Sequence, residues 1–418
     1  MKRLPLLILL GVLAAGPLAA QSIEFSGQLR ERSEFDDKNF IEDQHHDVFH
    51  LLRMRLKATA TVNEQVRVVA ELQDARGFGA NGSTMNVGAP AFDLRQGYVE
   101  VKGLADGLFE FRLGRQALAY ANERFIGAID WSNLGQSFDA GVLRMNVGDF
   151  RLDAIGAAVA RRPASPYIRD RVLAGAWAAW VPEKARYTAQ AFFLYDNPEE
   201  ATYTYNSTQN RMTAGVYAGG HLGRFDYEVD AAMQMGDRTL VSEFASLSQD
   251  ISANMVGVRL GYSFPDLAKL RIGAGYDRLS GVDPKDDTKY GAFHTLYGTN
   301  HKYYGFMDFF TDIPSHTSGF GLQDIIAQVS LVPVEGLMLG ADVHLFSTVT
   351  DPADAGSVFA DKSTAIGTEI DLTAKFAIAK AVGMTLGYSM FSGDADRAVR
   401  WGNTDTANWA YLMATVNF

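Results

Sequence analysis

Arginine recurs in this chain wherever apolar and polar residues alternate. Arg30 and Arg32 share a parity with Glu24, Ser26 and Gln28, opposite Ile23, Phe25, Gly27 and Leu29. Arg53, Arg55, Lys57 and Thr59 oppose Leu52, Met54, Leu56, Ala58 and Ala60. Arg67, Glu71 and Gln73 oppose Val66, Val68, Ala70 and Leu72, and Glu110 and Arg112 oppose Phe109, Phe111 and Leu113. Farther on, Arg144, Arg151, Arg259 and Arg271 again take the polar parity. A guanidinium is a flat fork of donors that suits carboxylates and stays charged at any ordinary pH. Rows of such forks along a passage select anions. Arg facing Glu across neighbouring segments also braces a polar interior, and the two roles can coexist.

The elements that position these side chains are strands, because the period is two. About eighteen are expected, at 23–33, 48–61, 65–74, 94–102, 109–117, 138–147, 150–160, 172–181, 186–196, 211–220, 224–235, 253–263, 269–279, 324–332, 337–348, 365–378, 384–392 and 408–418. Their connections alternate. Short ones such as Val62-Asn63-Glu64, Gly148-Asp149 and His221-Leu222-Gly223 are followed by long polar ones such as 75–93, 118–137 and 280–323. Outer-membrane barrels show this asymmetry, with tight periplasmic turns and long extracellular loops. An even strand count leaves both termini in the periplasm. The final strand, Asn408 to Phe418, alternates strictly and ends on an aromatic residue, as closing strands of such barrels do.

Composition agrees. Met1-Lys2-Arg3, the apolar run Leu4 to Ala15 and Ala19-Ala20 read as a cleaved secretory leader over residues 1–20, with 21–418 as one barrel domain. Hydrophobic residues make up 47 % of the chain and mean hydropathy is −0.07, so no apolar helix beyond the leader is long enough to cross a bilayer. Without helices, only a closed barrel pairs every backbone N–H and C=O in hydrocarbon, and its two alternating faces average to a soluble-looking hydropathy. Forty Gly, 26 Phe and 17 Tyr suit close-packed strands with aromatic girdles. The absence of Cys excludes disulfides, thiolate chemistry and a lipoprotein anchor. Removing Lys2 and Arg3 leaves 36 basic against 49 acidic residues, a net of −13, which argues against nucleic acid as a partner.

One long connection is rich in charge. Arg115, Glu123, Arg124, Asp130 and Asp139 lie in and beside a stretch too long for a tight turn, with Trp131 and Phe138 as candidate anchors. Such a segment can fold into the barrel mouth and narrow it, or simply brace the outer rim. Residues 113–143 contain G-R-Q…Y…E-R-F-I-G…D-W-S-N…S-F-D, which resembles the signature of the alginate export family of outer-membrane barrels. A second block, Asn300-His301-Lys302 through Gly305 to Asp308 with Gly321-Leu322-Gln323-Asp324, resembles that family's later N-H-K…G…D and G-L-x-D pattern. The resemblance implies an eighteen-stranded barrel that passes an acidic polysaccharide across the outer membrane through an Arg-rich constriction. It also implies periplasmic export partners.

The eight His are scattered, no G-x-S-x-G elbow occurs, and a strand begins directly after the leader, leaving no room for a plug domain. Asp43, His45, His46 and Asp47 read as an acidic outer loop and not as a metal site. The expectation is therefore a non-enzymatic, all-β, transmembrane antiparallel up-and-down barrel in the outer membrane of a Gram-negative-type bacterium, bounded by lipid and lipopolysaccharide. It needs no cofactor and no metal. Its passage would carry an anionic polysaccharide or oligosaccharide, with Arg30, Arg32, Arg53, Arg55, Arg67, Arg112, Arg115, Glu123, Arg124, Asp130 and Arg144 lining or narrowing it. The alternative is a passive porin for small anions or sugars.

Overall fold

The computed structural model describes residues 20–38, 46–80, 92–160, 170–183, 186–201, 206–241, 246–355, 363–393 and 406–418. The expected leader lies outside them except for Ala20, as do Asp43 and His45 of the acidic outer loop.

Alternation in the sequence becomes a closed ladder. The strands are β1 (Ser22–Asp37), β2 (Asp47–Thr61), β3 (Val66–Gly77), β4 (Phe92–Leu104), β5 (Phe109–Gln116), β6 (Phe138–Val147) and β7 (Phe150–Ala160). They continue as β8 (Arg171–Trp180), β9 (Tyr187–Asp196), β10 (Glu199–Ala201), β11 (Asn206–Leu222), β12 (Phe225–Val241), β13 (Ser246–Phe264) and β14 (Leu270–Leu279). The last are β15 (Lys289–Tyr290), β16 (Leu322–Val334), β17 (Leu337–Ser347), β18 (Ala365–Ala379), β19 (Val382–Gly393) and β20 (Thr406–Asn417). Two of them, β10 and β15, are side pairings of three and two residues. The other eighteen form the wall, each antiparallel to its neighbours, and β20 closes on β1 from Gln28↔Asn417 to Asp37↔Asn408.

Each expected strand is present. Three of them, β11, β12 and β13, run five to seven residues farther at the long-loop end than periodicity marks. Beyond the membrane both faces of a strand meet water, so the ladder continues while the apolar alternation stops. The short connections are tight. Val147 pairs with Phe150 across Gly148-Asp149, and Gly148 takes φ 56°, the left-handed conformation that two-residue hairpins require.

The wall sorts side chains by parity. Phe25, 79 % exposed, shares the outer face with Ile23, Leu56, Leu72, Leu113, Leu143 and Phe193. The inner face changes character around the ring. From β1 to β5 it carries Arg and Glu, whereas from β6 to β9 it presents Phe138, Val142, Ile155, Leu173, Trp177, Phe192 and Leu194, all buried. What buries them is two connections folded into the lumen. Residues 117–137 bring Leu118, Tyr120, Phe125 and Ile126, and residues 280–321 bring Phe293, Tyr304, Met307, Phe310 and Ile313. The second connection also contains a 3-10 turn (Asn300–Lys302) and a short helix α1 (Ile313–His316). The apolar core of this barrel is therefore inside it.

Candidate functional site

The two lumenal segments meet as a short parallel bridge between Ile126 and Tyr297. The Gly127 and Thr299 amides donate to Tyr297 O and Glu123 O at 2.9 Å each, and Tyr297 N–H donates to Phe125 O at 2.9 Å. Glu123 binds the second segment through Lys302 Nζ at 2.6 Å and Thr299 Oγ1 at 3.0 Å. The two sequence blocks that carry the family resemblance thus touch, although 176 residues separate Glu123 from Thr299. Trp131 stacks on His301 at 4.2 Å and 6°, and Phe138 meets Tyr297 edge-on, so both expected anchors pack.

Basic side chains of the wall grip the first segment by its backbone. Arg30 and Arg53 stand directly opposite each other on β1 and β2, a repulsive register for like charges. Both donate to Asp130 O, at 2.7 and 2.9 Å, while Arg32 donates to Trp131 O at 2.8 Å. The Asp130 carboxylate contacts Arg55 at 2.5 Å, Arg53 at 3.3 Å and Arg95 at 3.8 Å. Partial burial raises the Asp130 carboxyl, but Arg53 and Arg55 outweigh it and hold it down to about 2. Arg53 is 0 % exposed, yet four of these arginines keep a buried N–H with no hydrogen-bond partner: Arg30 Nε, Arg53 Nε, Arg55 Nη2 and Arg95 Nε.

Arg95 was not anticipated. By strict alternation it would face lipid beside Gly97, but the β3–β4 register shifts between Glu71 and Leu72, and this bulge turns Arg95 inward to Glu71 at 3.5 Å. The register irregularity has no signature in single-residue parity.

Two expected lining residues stand elsewhere. Arg124 is 1 % exposed, its Nε 3.1 Å from Asp230 and its Nη1 3.2 Å from Asp277 and 3.0 Å from the Tyr304 hydroxyl, with the Tyr303 ring 3.8 Å away. It therefore fastens the segment to β12 and β14 and presents nothing to a solute. Arg115 takes the parity of Leu113, which is 51 % exposed on the outer face. It forms a two-bond pair, at 2.8 and 2.9 Å, with Asp139 on the parity of Leu143. Arg115 belongs to the outer surface of the wall near the long-loop end.

Nearer the short turns the inner wall is open to water. Arg67, Lys102 and Arg112 surround the single carboxylate of Glu100, Arg112 at 2.9 Å and Lys102 at 3.6 Å. Beside them Arg144 and Arg151 share Asp153, at 2.8 and 3.8 Å, and Arg144 also lies 3.8 Å from Glu110. Five cations there face three carboxylates. Among the described residues no cluster of His, Asp and Glu has metal-binding geometry, and no helix is long and apolar enough to cross a membrane.

Solved structures share this fold. OccK11 (OpdR) of Pseudomonas aeruginosa superposes with a TM-score of 0.59 at 12 % identity, over 95 % of this chain and 96 % of that one. The OpdK outer membrane protein of the same organism gives 0.59 at 13 % identity, over 94 % and 99 %. A BenF-like porin from Pseudomonas fluorescens Pf-5 gives 0.57 at 12 % identity, over 96 % and 99 %. Among curated protein sequences nothing matches. A family model described as alginate export matches residues 21–408, nearly the whole sequence. With the fold of outer-membrane porins and a family match of that extent, this chain is an outer-membrane channel and belongs to the alginate export family.

Proposed function

We propose that the barrel passes an anionic saccharide across the outer membrane, with Arg67, Arg112 and Arg144 as the cations that meet it. The observation that carries this reading is the charge excess near the short turns, five cations to three carboxylates on a wall where Arg67 keeps 40 % of its side chain exposed. A solute carboxylate entering there finds forks that the protein's own acids leave incompletely satisfied. Arg30, Arg32, Arg53, Arg55 and Arg95 act one step removed, by seating the segment that narrows the passage around Asp130. The short-turn end, where β1 starts and β20 ends, faces the periplasm in this reading.

A second reading is a passive route for small organic anions. It is favoured by the apolar core that the two lumenal segments build, which takes up space a polymer would need. One of the similar structures is OpdK with vanillate, an aromatic carboxylate. The refolded protein in a planar bilayer distinguishes these readings by its reversal potential in a salt gradient. Anion selectivity is expected, shifting toward cations in Arg67→Glu/Arg112→Glu. Block by oligogalacturonate supports the saccharide, block by vanillate alone supports the small-anion route, and a parental reversal potential in the double variant overturns both.

A further inference from the structure

The inner wall from β16 to β18 holds acids without bases to match them. Glu369 and Asp371, 0 % and 1 % exposed, project from one face of β18. Across the ladder His344 stands opposite Glu369, and Asp342 stands opposite Asp371. His344 Nδ1 lies 2.7 Å from Asp324 of β16, and its Nε2 lies 3.8 Å from Asp371. One imidazole therefore stands among four carboxyls. Arg259 of β13 is committed to Asp277 at 2.6 Å. From β19 the Ser389 hydroxyl donates to Asp371, and from β20 the uncharged Tyr411 phenol is within electrostatic reach of it. Among the described residues neither Glu369 nor Asp371 has a Lys or Arg within ion-pair distance.

The second lumenal segment rests on this pair. Phe306 N–H donates to Asp371 Oδ2 at 3.3 Å, and Met307 N–H donates to Glu369 Oε1 at 2.8 Å. Gly305 makes the turn at φ 82°, and a Cβ there would fall 2.5 Å from Glu369 Oε2, so the backbone lies directly on the carboxyl. That oxygen is buried and has no hydrogen-bond partner among the described residues. Asp308 adds one more acid to the same turn, itself bonded to His301 at 2.9 Å.

Two carboxylates this close and this dry cannot both ionise, and a buried charge without a counter-ion is relieved by taking up a proton. We propose that Glu369 and Asp371 keep one proton between them while the segment is seated and lose it when the segment lifts, so that the passage opens as pH rises. In the lifted state water reaches both groups, and they titrate in the ordinary carboxylate range near about 4. Above that range the seated state carries one proton more than the lifted one. Raising the pH therefore favours lifting, by up to about tenfold per pH unit for one proton.

The test is single-channel recording of the refolded barrel in a neutral bilayer, from about pH 5.5 to about pH 8.5. Potassium chloride without saccharide is used, so the outcome does not depend on which solute the barrel passes. The ratio of open to closed occupancy is expected to rise with pH, by up to about tenfold per unit. Glu369→Gln keeps the acceptor for Met307 N–H and cannot ionise, so it should flatten the response and hold the passage shut throughout. Glu369→Leu, which also loses the acceptor, should flatten it as well. The rate at which proteinase K cuts residues 302–310, taken as parent over Glu369→Gln at each pH, should climb in parallel. A parental occupancy ratio that stays constant over this range would overturn the proposal. So would a rise that survives in both variants, which would place the titration on His344 or His301 instead.

Discussion

Replacing Arg124 with Met should open the passage without unfolding the wall. The guanidinium sits between Asp230 and Asp277, both buried strand residues, and its removal does not affect them equally. Asp277 keeps Arg259 through bonds of 3.0 and 2.6 Å. Asp230 keeps the Asn122 amide at 2.9 Å and has one oxygen without a partner. Breaking a buried pair from one side costs about 3–5 kcal/mol, because the remaining charge is stranded. With Asp277 still paired, the lower end applies, about 3 kcal/mol, or about 100-fold in an equilibrium at about 1.4 kcal/mol per decade. The wall is held by its backbone ladder, so the loss falls on the seating of residues 117–137. Single-channel recordings should show a high-conductance state whose occupancy relative to the closed state rises by about that factor, with proteinase K cutting the segment faster. Adding Asp230→Asn should recover part of the effect, since the stranded charge is then gone. Parental gating and parental protection in Arg124→Met would refute the idea that this side chain holds the segment in place.

Other outcomes follow from the same geometry. Phe125→Ala removes a ring packed on Phe192 at 4.8 Å and Phe293 at 6.3 Å and should weaken seating by about 3–5 kcal/mol, read as lost protease protection. The Asp130 carboxyl is held at about 2 against an unfolded value of about 3.9, so its contribution is complete above about pH 4 and is lost as pH falls through about 2. Any gating change between pH 7 and 4.5 should accordingly persist unaltered in Asp130→Asn, and its disappearance in that variant would contradict the clamp. Glu369 and Asp371 share a buried inner face of β18, where Glu369 accepts from Met307 N–H at 2.8 Å and keeps one oxygen unpartnered. Glu369→Gln preserves that acceptor and relieves the crowding of two acids on one buried face, so the melting temperature should hold or rise; a clear fall would show that the carboxyl group itself is needed.

The wall was legible because its two faces meet different solvents. Lipid outside and water or polar loop inside impose a period of two on the sequence, and the sorting of Phe25 from Arg30 or of Met54 from Arg53 follows directly. The same rule misplaced nothing on the regular strands; it failed where regularity fails, at the β4 bulge that turns Arg95 inward. Membership in a charged motif points Arg115 to the lumen, whereas its parity with Leu113 points it outward, and parity prevails. The interior core was harder to see. In β8, R-V-L-A-G-A-W-A-A-W, both faces are apolar, which in a barrel means that something covers the inner one. Which segments cover it is set by pairings such as Ile126 with Tyr297, more than a hundred residues apart, and no local pattern records such a partnership.

Four flat groups lie in a column across the mouth: Arg32 over Trp131 at 3.9 Å, Trp131 on His301 at 4.2 Å, and His301 on Phe306 at 5.2 Å. They come in order from the wall, the first lumenal segment and the second. Neither segment can withdraw without unstacking a ring from the other, and their shared backbone bridge adds to the same obstacle. Motions that would otherwise be independent are thereby tied into a single event. A recorder watching one molecule should then see current jump between two levels in one stride, with no half-open plateau marking the departure of one segment alone.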